Sequence, residues 1–600
     1  MGRGLLHAAL QGVFPDRDLF ESSDPTLPGP RKSPEQIENE QAMERHSPEI
    51  ILQGLAEGLP DASQLTELYN QMVGLSPNPL HTLLAQALQH ATVPAIFTTN
   101  QDQCIEDAAE PGYAMVPIFD TQGFKHGLHC TLFQFHGAIG GNSAIEVARR
   151  KQSLTYTLNS MGPRLPPDKQ DVLCQALARH PLIFLGYSGS DPDIWYSLYD
   201  LLTILPHPRI YWCVQGTPST ADHRTRLDAR HAGAIVFFRG DLVTVLRECD
   251  NAWGLPDPGA VSPGSPTEVQ DRLVRLRGWA PTLTLKERSL AYGWVLVSVG
   301  RYRAGAQLLE QLADSHPPQP VLMMAHLFAG YARRELSEHM SARAHLRQAV
   351  AMGRTLDRCR YAQAMHKLGE SLSTFESVRW WHFWPTQPKL HEGAGWLLKA
   401  IKEYESLPAE ERAVKSLGRA GLAHARMNLG QLYRRTAAYT PGLRPRLAAK
   451  ARQGITDALK LLEGPEMDLR ALAMADAAVA ADDTSLPFSE KRARIDLAID
   501  YTERWTQDQI QIGSAYFAKG RLLATISPSE SDAAYQRALA AFSEAQMMGE
   551  LARTELELAF VLAIKARQHI AQTQASREWQ WGLRVLGVLK VLWALLGPKR

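Results

Sequence analysis

Up to about residue 250, five short apolar runs alternate with helical patterns, and each run ends in polar or glycine residues. They are VPAIFTTN (93–100), CTLFQFHG (130–137), HPLIFLGYS (180–188), RIYWCVQ (209–215) and GAIVFFRG (233–240). Runs that are apolar on both faces belong in the middle of a parallel sheet, where helices cover each side. The pattern therefore predicts an α/β domain with a doubly wound, Rossmann-type parallel sheet over residues 1–250. In such sheets ligands bind beyond the carboxyl ends of the strands. Chemistry is expected in the residues that close the runs.

The rest of the chain reads differently. Seven Gly or Pro fall in the thirteen residues GLPDPGAVSPGSP (254–266), which predicts a linker over 251–268. Beyond it nearly every pattern is helical, and residues 269–575 are expected to form an all-α helical solenoid. Residues 291–317 give a helix, a Gly300-Arg301-Tyr302 turn and a second helix with the small Ala306 facing the first; 325–353 repeat the arrangement with Ala329, Gly330, Ala342 and Ala349. Small residues let adjacent helices approach closely, and one such pair cannot bury its face without a neighbour. These passages resemble tetratricopeptide repeats in degenerate form, with irregular intervals. The insertion holding Trp380, Trp381, Phe383 and Trp384 reads as local core, or else as an aromatic partner-binding patch. Residues 581–597 are apolar except for Arg584 and Lys590. Within a last element at 576–600, they read first as a helix packed on the array or on a second subunit, and second as an interfacial helix or short anchor.

Charge and cysteine usage narrow the function classes. A formal net charge of +1 gives no global pull toward nucleic acid or membrane, and the basic residues form no stripe, so no nucleic-acid partner is expected. Six scattered cysteines without a CxxC pair indicate neither a disulfide framework nor a thiolate zinc site. With no secretory signal at the start, the expected setting is the cytoplasm.

Three strand ends carry the candidate chemistry: TTNQD (98–102), FHG (135–137) and GYSGSDPDI (186–194). Alone, each has a plain reading as a helix cap, a structural histidine or a turn. Together, in this order, they resemble the SIR2-like family, whose members consume NAD. The resemblance covers roughly residues 65–242. It implies that Asn100 holds the ribose and positions a water, that Asp102 orients that segment, and that His136 is the general base or a ribose-hydroxyl partner. Thr98, Thr99 and Gly137 would flank them. Gly186, Tyr187 and Ser188 would lie against the phosphates and adenosine, with Asp191 fixing the loop, and Gly240 and Asp241 would approach the adenine. Cleaving the glycosidic bond of NAD passes through an oxocarbenium-like centre, which calls for orientation and water rather than a metal. An amide both donates and accepts, and a neutral imidazole can take a proton near neutral pH.

Two departures qualify the resemblance. Zinc-binding members carry two cysteine pairs that this chain lacks, which demotes protein deacylation relative to NAD hydrolysis. The family also opens with a strand and a Gly-Ala-Gly-x-Ser loop that cradles the diphosphate, whereas this sequence opens MGRGLLHAALQGVFPD. A misassigned start codon is the preferred explanation, and loss of the cradle the alternative. The expectation is an NAD-hydrolysing effector, as in bacterial anti-phage defence, with the helical array reading a protein trigger or building a homo-oligomer. The competing expectation is a non-enzymatic, nucleotide-sensing adaptor.

Overall fold

The computed structural model describes residues 38–558 apart from 40, 44–47, 60–63, 71–72, 111–112, 114, 116, 121–122, 126–127, 142, 156–164, 188–190, 206–207, 215–233, 256–278, 280–282, 337, 374–386, 409–415, 440–443, 463–486, 504–508, 525 and 545–557. The tryptophan-rich insertion, most of the predicted linker, Ser188 and the apolar segment 581–597 lie outside the described residues. The chain divides into two compact units. One draws its described residues from 61–282, the other from 21–60 and 283–600. Helix α1 (Pro48–Gly58) belongs to the second.

The first unit holds all five predicted strands, β1 (Ala95–Thr98), β2 (Thr131–Gln134), β3 (Leu182–Phe184), β4 (Ile210–Val214) and β5 (Ile235–Arg239). Between and around them run α2 (Gln64–Asn70), α3 (Pro79–Gln89), the short α4 (Cys104–Asp107), α5 (Ala144–Ser153), α6 (Pro167–Arg179), α7 (Pro192–Ile204) and α8 (Leu242–Trp253). All strand pairing is parallel, as predicted. Among the described residues it is not continuous, however: β1 pairs with β2 in one sheet, and β3, β4 and β5 in that order form another. The expectation of a single doubly wound sheet with every strand enclosed is thereby corrected. β2, flanked by β1 and by a bridge from Ile118, is largely buried, and so is β4 between its two neighbours. By contrast β1 and β3 each pair on one edge only among the described residues, and their apolar side chains stay half-exposed, with Ile183 exposed outright. A strand that lacks a second neighbour cannot be enclosed on its open edge.

Packing against the sheets follows the sequence. The apolar face of α3 (Ala85, Leu88) meets Ile105 and Leu132, and Phe97 stacks on Phe133 across β1 and β2 at 5.2 Å. In the second sheet the buried Trp212 stacks on Phe184 at 4.2 Å. Such aromatic pairs add to simple burial.

The second unit is built from helices. These are α9 (Leu285–Ser298), α10 (Tyr302–Asp314), α11 (Gln319–Glu335), α12 (His339–Ala351), α13 (Arg358–Ser373), α14 (Gln387–Glu405), α15 (Ser416–Tyr439) and α16 (Arg444–Leu462), then α17 (Phe488–Tyr501), α18 (Gln509–Leu523) and α19 (Pro528–Glu544). From α9 to α16, and again from α17 to α19, each helix packs on the next, and α9 with α11, α11 with α13 and α13 with α15 also touch. Thr284 and Glu287 form a reciprocal capping box that starts α9. Gly330, singled out in the sequence, lies at a close helix approach, where a Cβ would sit 2.7 Å from Leu346; Gly293, which the sequence reading passed over, lies at another, where a Cβ would sit 2.7 Å from Leu309. The same Gly-to-Leu offset thus recurs in two successive hairpins. Helix α1 lies against α9, where Glu57 accepts from the Trp294 indole at 2.9 Å and Gly58 faces the Ala291 backbone. Among the described residues no helix is long and apolar enough to cross a membrane.

Candidate functional site

The parallel register of β1 and β2 pairs Thr98 with Gln134. Asn100 and His136 each stand two residues beyond that pair, so the backbone carries both to adjacent strand ends. Backbone and side-chain hydrogen bonds hold the two exits together. Phe135 N–H donates to Thr98 O (2.9 Å), Ile139 N–H to Gln101 O (2.8 Å), and the Gln101 side-chain amide to Thr155 O (3.2 Å) with a longer contact to His136 O. Gly137 follows with φ +83°, and a Cβ there would fall 2.2 Å from Ser153 O. Only glycine fits this turn.

The two candidate side chains differ in environment. Asn100 is exposed, and its backbone N–H bonds to Thr98 Oγ1 at 3.0 Å. His136 is 3 % exposed, and its Nε2 lies 3.2 and 3.3 Å from the two carboxylate oxygens of Asp193, itself 2 % exposed. Asp193 sits in the first turn of α7, where Oδ1 also accepts from Ile194 N–H. Burial alone would depress the imidazole pKa, but the Asp193 charge and hydrogen bond, helped by Asp191, outweigh burial and the opposing Lys169 and raise it above the ordinary value. Lys169, from α6, is buried with its ammonium donating to Phe135 O and lying over the Phe124 ring; burial lowers its pKa, against the attraction of Asp193.

Asp102 is buried. Its Oδ1 accepts from Cys104 N–H at 3.0 Å and its backbone carbonyl from the Gln134 amide, while Oδ2 is buried without a hydrogen-bond partner. A buried carboxylate oxygen in this state calls for a donor from water or a ligand. His81, Asp102 and Cys104 bring ligand-type atoms within 4.8 Å of one another. That trio is nevertheless poorly suited to a cation. His81 Nδ1 accepts the Asn78 N–H at 3.1 Å, so the neutral ring carries its proton on Nε2 and neither nitrogen offers a lone pair.

The remaining candidates are spread along the second sheet. Gly186 is exposed with φ +64°. The Tyr187 ring stacks on Phe184 and Trp212, and its carbonyl accepts from the Trp212 indole at 2.9 Å. Burial, with Asp191 and Asp193 nearby, pushes its phenol pKa well up. Asp191 occupies the N-cap position of α7, and burial, partly offset by His136, raises its carboxyl pKa. Gly240 and Asp241 line a cleft with Asn78, Pro79, Leu80, Val214, Leu242 and Val243, at the carboxyl ends of β4 and β5. There Asp241 Oδ2 accepts from the Thr244 N–H and hydroxyl, which lowers its pKa and caps α8.

Sequence reasoning passed over Asp193, Lys169 and Gln101. A signal existed for Asp193, since SDPD places two carboxylates around a proline at a helix start, where anionic side chains are favourable. No such signal marks Lys169, which reads as one more solvated cation on an amphipathic helix.

No curated protein matches the chain. Among known protein families, the SIR2-like domain matches from residue 94 to residue 235, from just before β1 to the first residue of β5. Residues 94–235 are a SIR2-like domain.

Proposed function

We propose that the SIR2-like domain cleaves the nicotinamide–ribose bond of NAD. Water attacks C1′ of the ribose as the C1′–N bond breaks, nicotinamide leaves neutral, and ADP-ribose is the other product. Asn100 grips a ribose hydroxyl and the water, His136 accepts the proton that the water or hydroxyl gives up, and Asp102, whose Oδ1 accepts from Cys104 N–H, orients the segment that carries Asn100. The observation that carries this reading is the common register of the two strand exits, which brings residue 100 and residue 136 together by backbone pairing alone. The cleft at Gly240 and Asp241 supplies a separate concavity at strand ends, the usual place for a nucleotide in an α/β domain.

In this reading the helical unit governs the domain in response to a protein trigger, as in an anti-phage effector that depletes NAD. The test is nicotinamide release by the purified chain, alongside Asn100→Ala and His136→Ala. Each substitution is expected to lower the rate at least ~100-fold with folding intact, the size of a positioned acid–base group. Undiminished release in either variant contradicts the assignment, and NAD binding without release by the parent chain selects the adaptor reading instead.

A further inference from the structure

We infer that Asp193 is a positioning residue for His136, holding the imidazole by its Nε2–H so that Nδ1 is the nitrogen offered to substrate. The inference rests on the NAD-cleaving role proposed for His136, but its geometry stands apart from that role. Nε2 lies within 3.3 Å of both Asp193 oxygens, and both side chains are almost wholly buried. An ionised carboxylate only accepts, so the shared proton belongs to Nε2, and deprotonation of the imidazolium removes the Nδ1 proton. Among the described residues no hydrogen bond is made to Nδ1. Asp193 itself is fixed, because it lies in the first turn of α7 and its Oδ1 also receives Ile194 N–H.

Among the described residues, three further titratable groups face this pair. Asp191, at the N-cap of α7, reinforces the positive ring; Lys169, from α6, opposes it while tethering Phe135 O; the Tyr187 phenol stands beside the two aspartates and stays neutral. Asp193 makes the direct contact. Its removal leaves Lys169 opposing the imidazolium with only the more distant Asp191 to balance it.

The experiment is a pH titration of the full chain labelled with 15N- and 13C-histidine, in which the His136 signal is identified by its loss in His136→Gln. The inference expects ring nitrogen shifts of the Nε2–H tautomer and a midpoint above that of an exposed histidine. It also expects that midpoint to fall by about one pH unit or more in Asp193→Asn and to recover, at least in part, in Asp193→Glu. If the parent chain cleaves NAD, the acid limb of its rate should move with the same substitutions. An Nδ1–H tautomer or an ordinary midpoint in the parent chain overturns the inference without recourse to any variant. So does an unmoved midpoint in folded Asp193→Asn. If no chain releases nicotinamide but the His136 titration behaves as expected, the cleavage reading fails while the Asp193 assignment stands.

Discussion

Gly137 stands between the candidate imidazole and the loop that follows it, and its backbone leaves no room for a side chain. At φ +83° with Ser153 O in the place of a side chain, Gly137→Ala combines left-handed strain with a backbone clash. A loss of about 2 kcal/mol or more is expected, read as a lower denaturation midpoint. His136 leaves a second signature at this scale. Its folded pKa is raised above the unfolded value near 6.5. The pair therefore contributes stability that is fully present below pH 6.5 and is lost as pH rises through the folded value. Melting temperature should fall over that window in the parent chain and fall less in Asp193→Asn; equal slopes would remove the coupling. Asn100 and His136 could be located as strand-end residues from the sequence because apolar runs stop where they stand. The partner of His136 could not, since Asp193 comes from a helix 57 residues further along the chain and nothing in a linear pattern says which of two aspartates reaches the imidazole.

Helix α5 is fastened by a buried cation. Arg150, 2 % exposed, donates to Glu106 (2.9 Å), to Glu146 (2.8 Å) and to Ile139 O (3.2 Å), tying α5 to α4 and to the loop beyond His136. Arg150→Met would leave Glu106 buried beside no countercharge. A loss of about 3 kcal/mol is expected, since breaking one partner of a buried pair costs more than the pair contributes, and an unchanged denaturation midpoint would refute it. Strand positions were readable at this scale because each run is short, apolar and bounded by polar or glycine residues. Strand pairing was readable only in part. Parallel direction follows from the helical patterns between runs, but the break between β1–β2 and β3–β4–β5 depends on which edges meet, and apolar runs are alike at every edge. The half-exposed Ile96 and the exposed Ile183 record that difference.

At the scale of the molecule, the helical unit includes a helix from far upstream in sequence. Helix α1 packs on α9, with Gly58 so close to Ala291 that a Cβ would sit 2.9 Å from its Cα. Gly58→Val should lower the melting transition of the helical unit by several degrees and leave the His136 titration midpoint unaltered; a melting curve like the parent's would show that α1 does not help hold that unit. Its own pattern, PEIILQGLAEG, could not have announced this, because an amphipathic helix specifies an apolar face but not whose core receives it. The change to a helix-rich half was legible, since strand-like runs end before the Gly- and Pro-rich stretch. The candidate site in the SIR2-like domain carries the functional proposal. That site is tested most directly by a crystal structure of the chain with a non-hydrolysable carbocyclic NAD analogue. The nicotinamide-bearing ring is expected at the paired ends of β1 and β2, with one of its hydroxyls within ~3 Å of the Asn100 amide and His136 Nδ1 facing the same ring. A ring bound elsewhere, with residues 100 and 136 both out of reach, would contradict the proposed site.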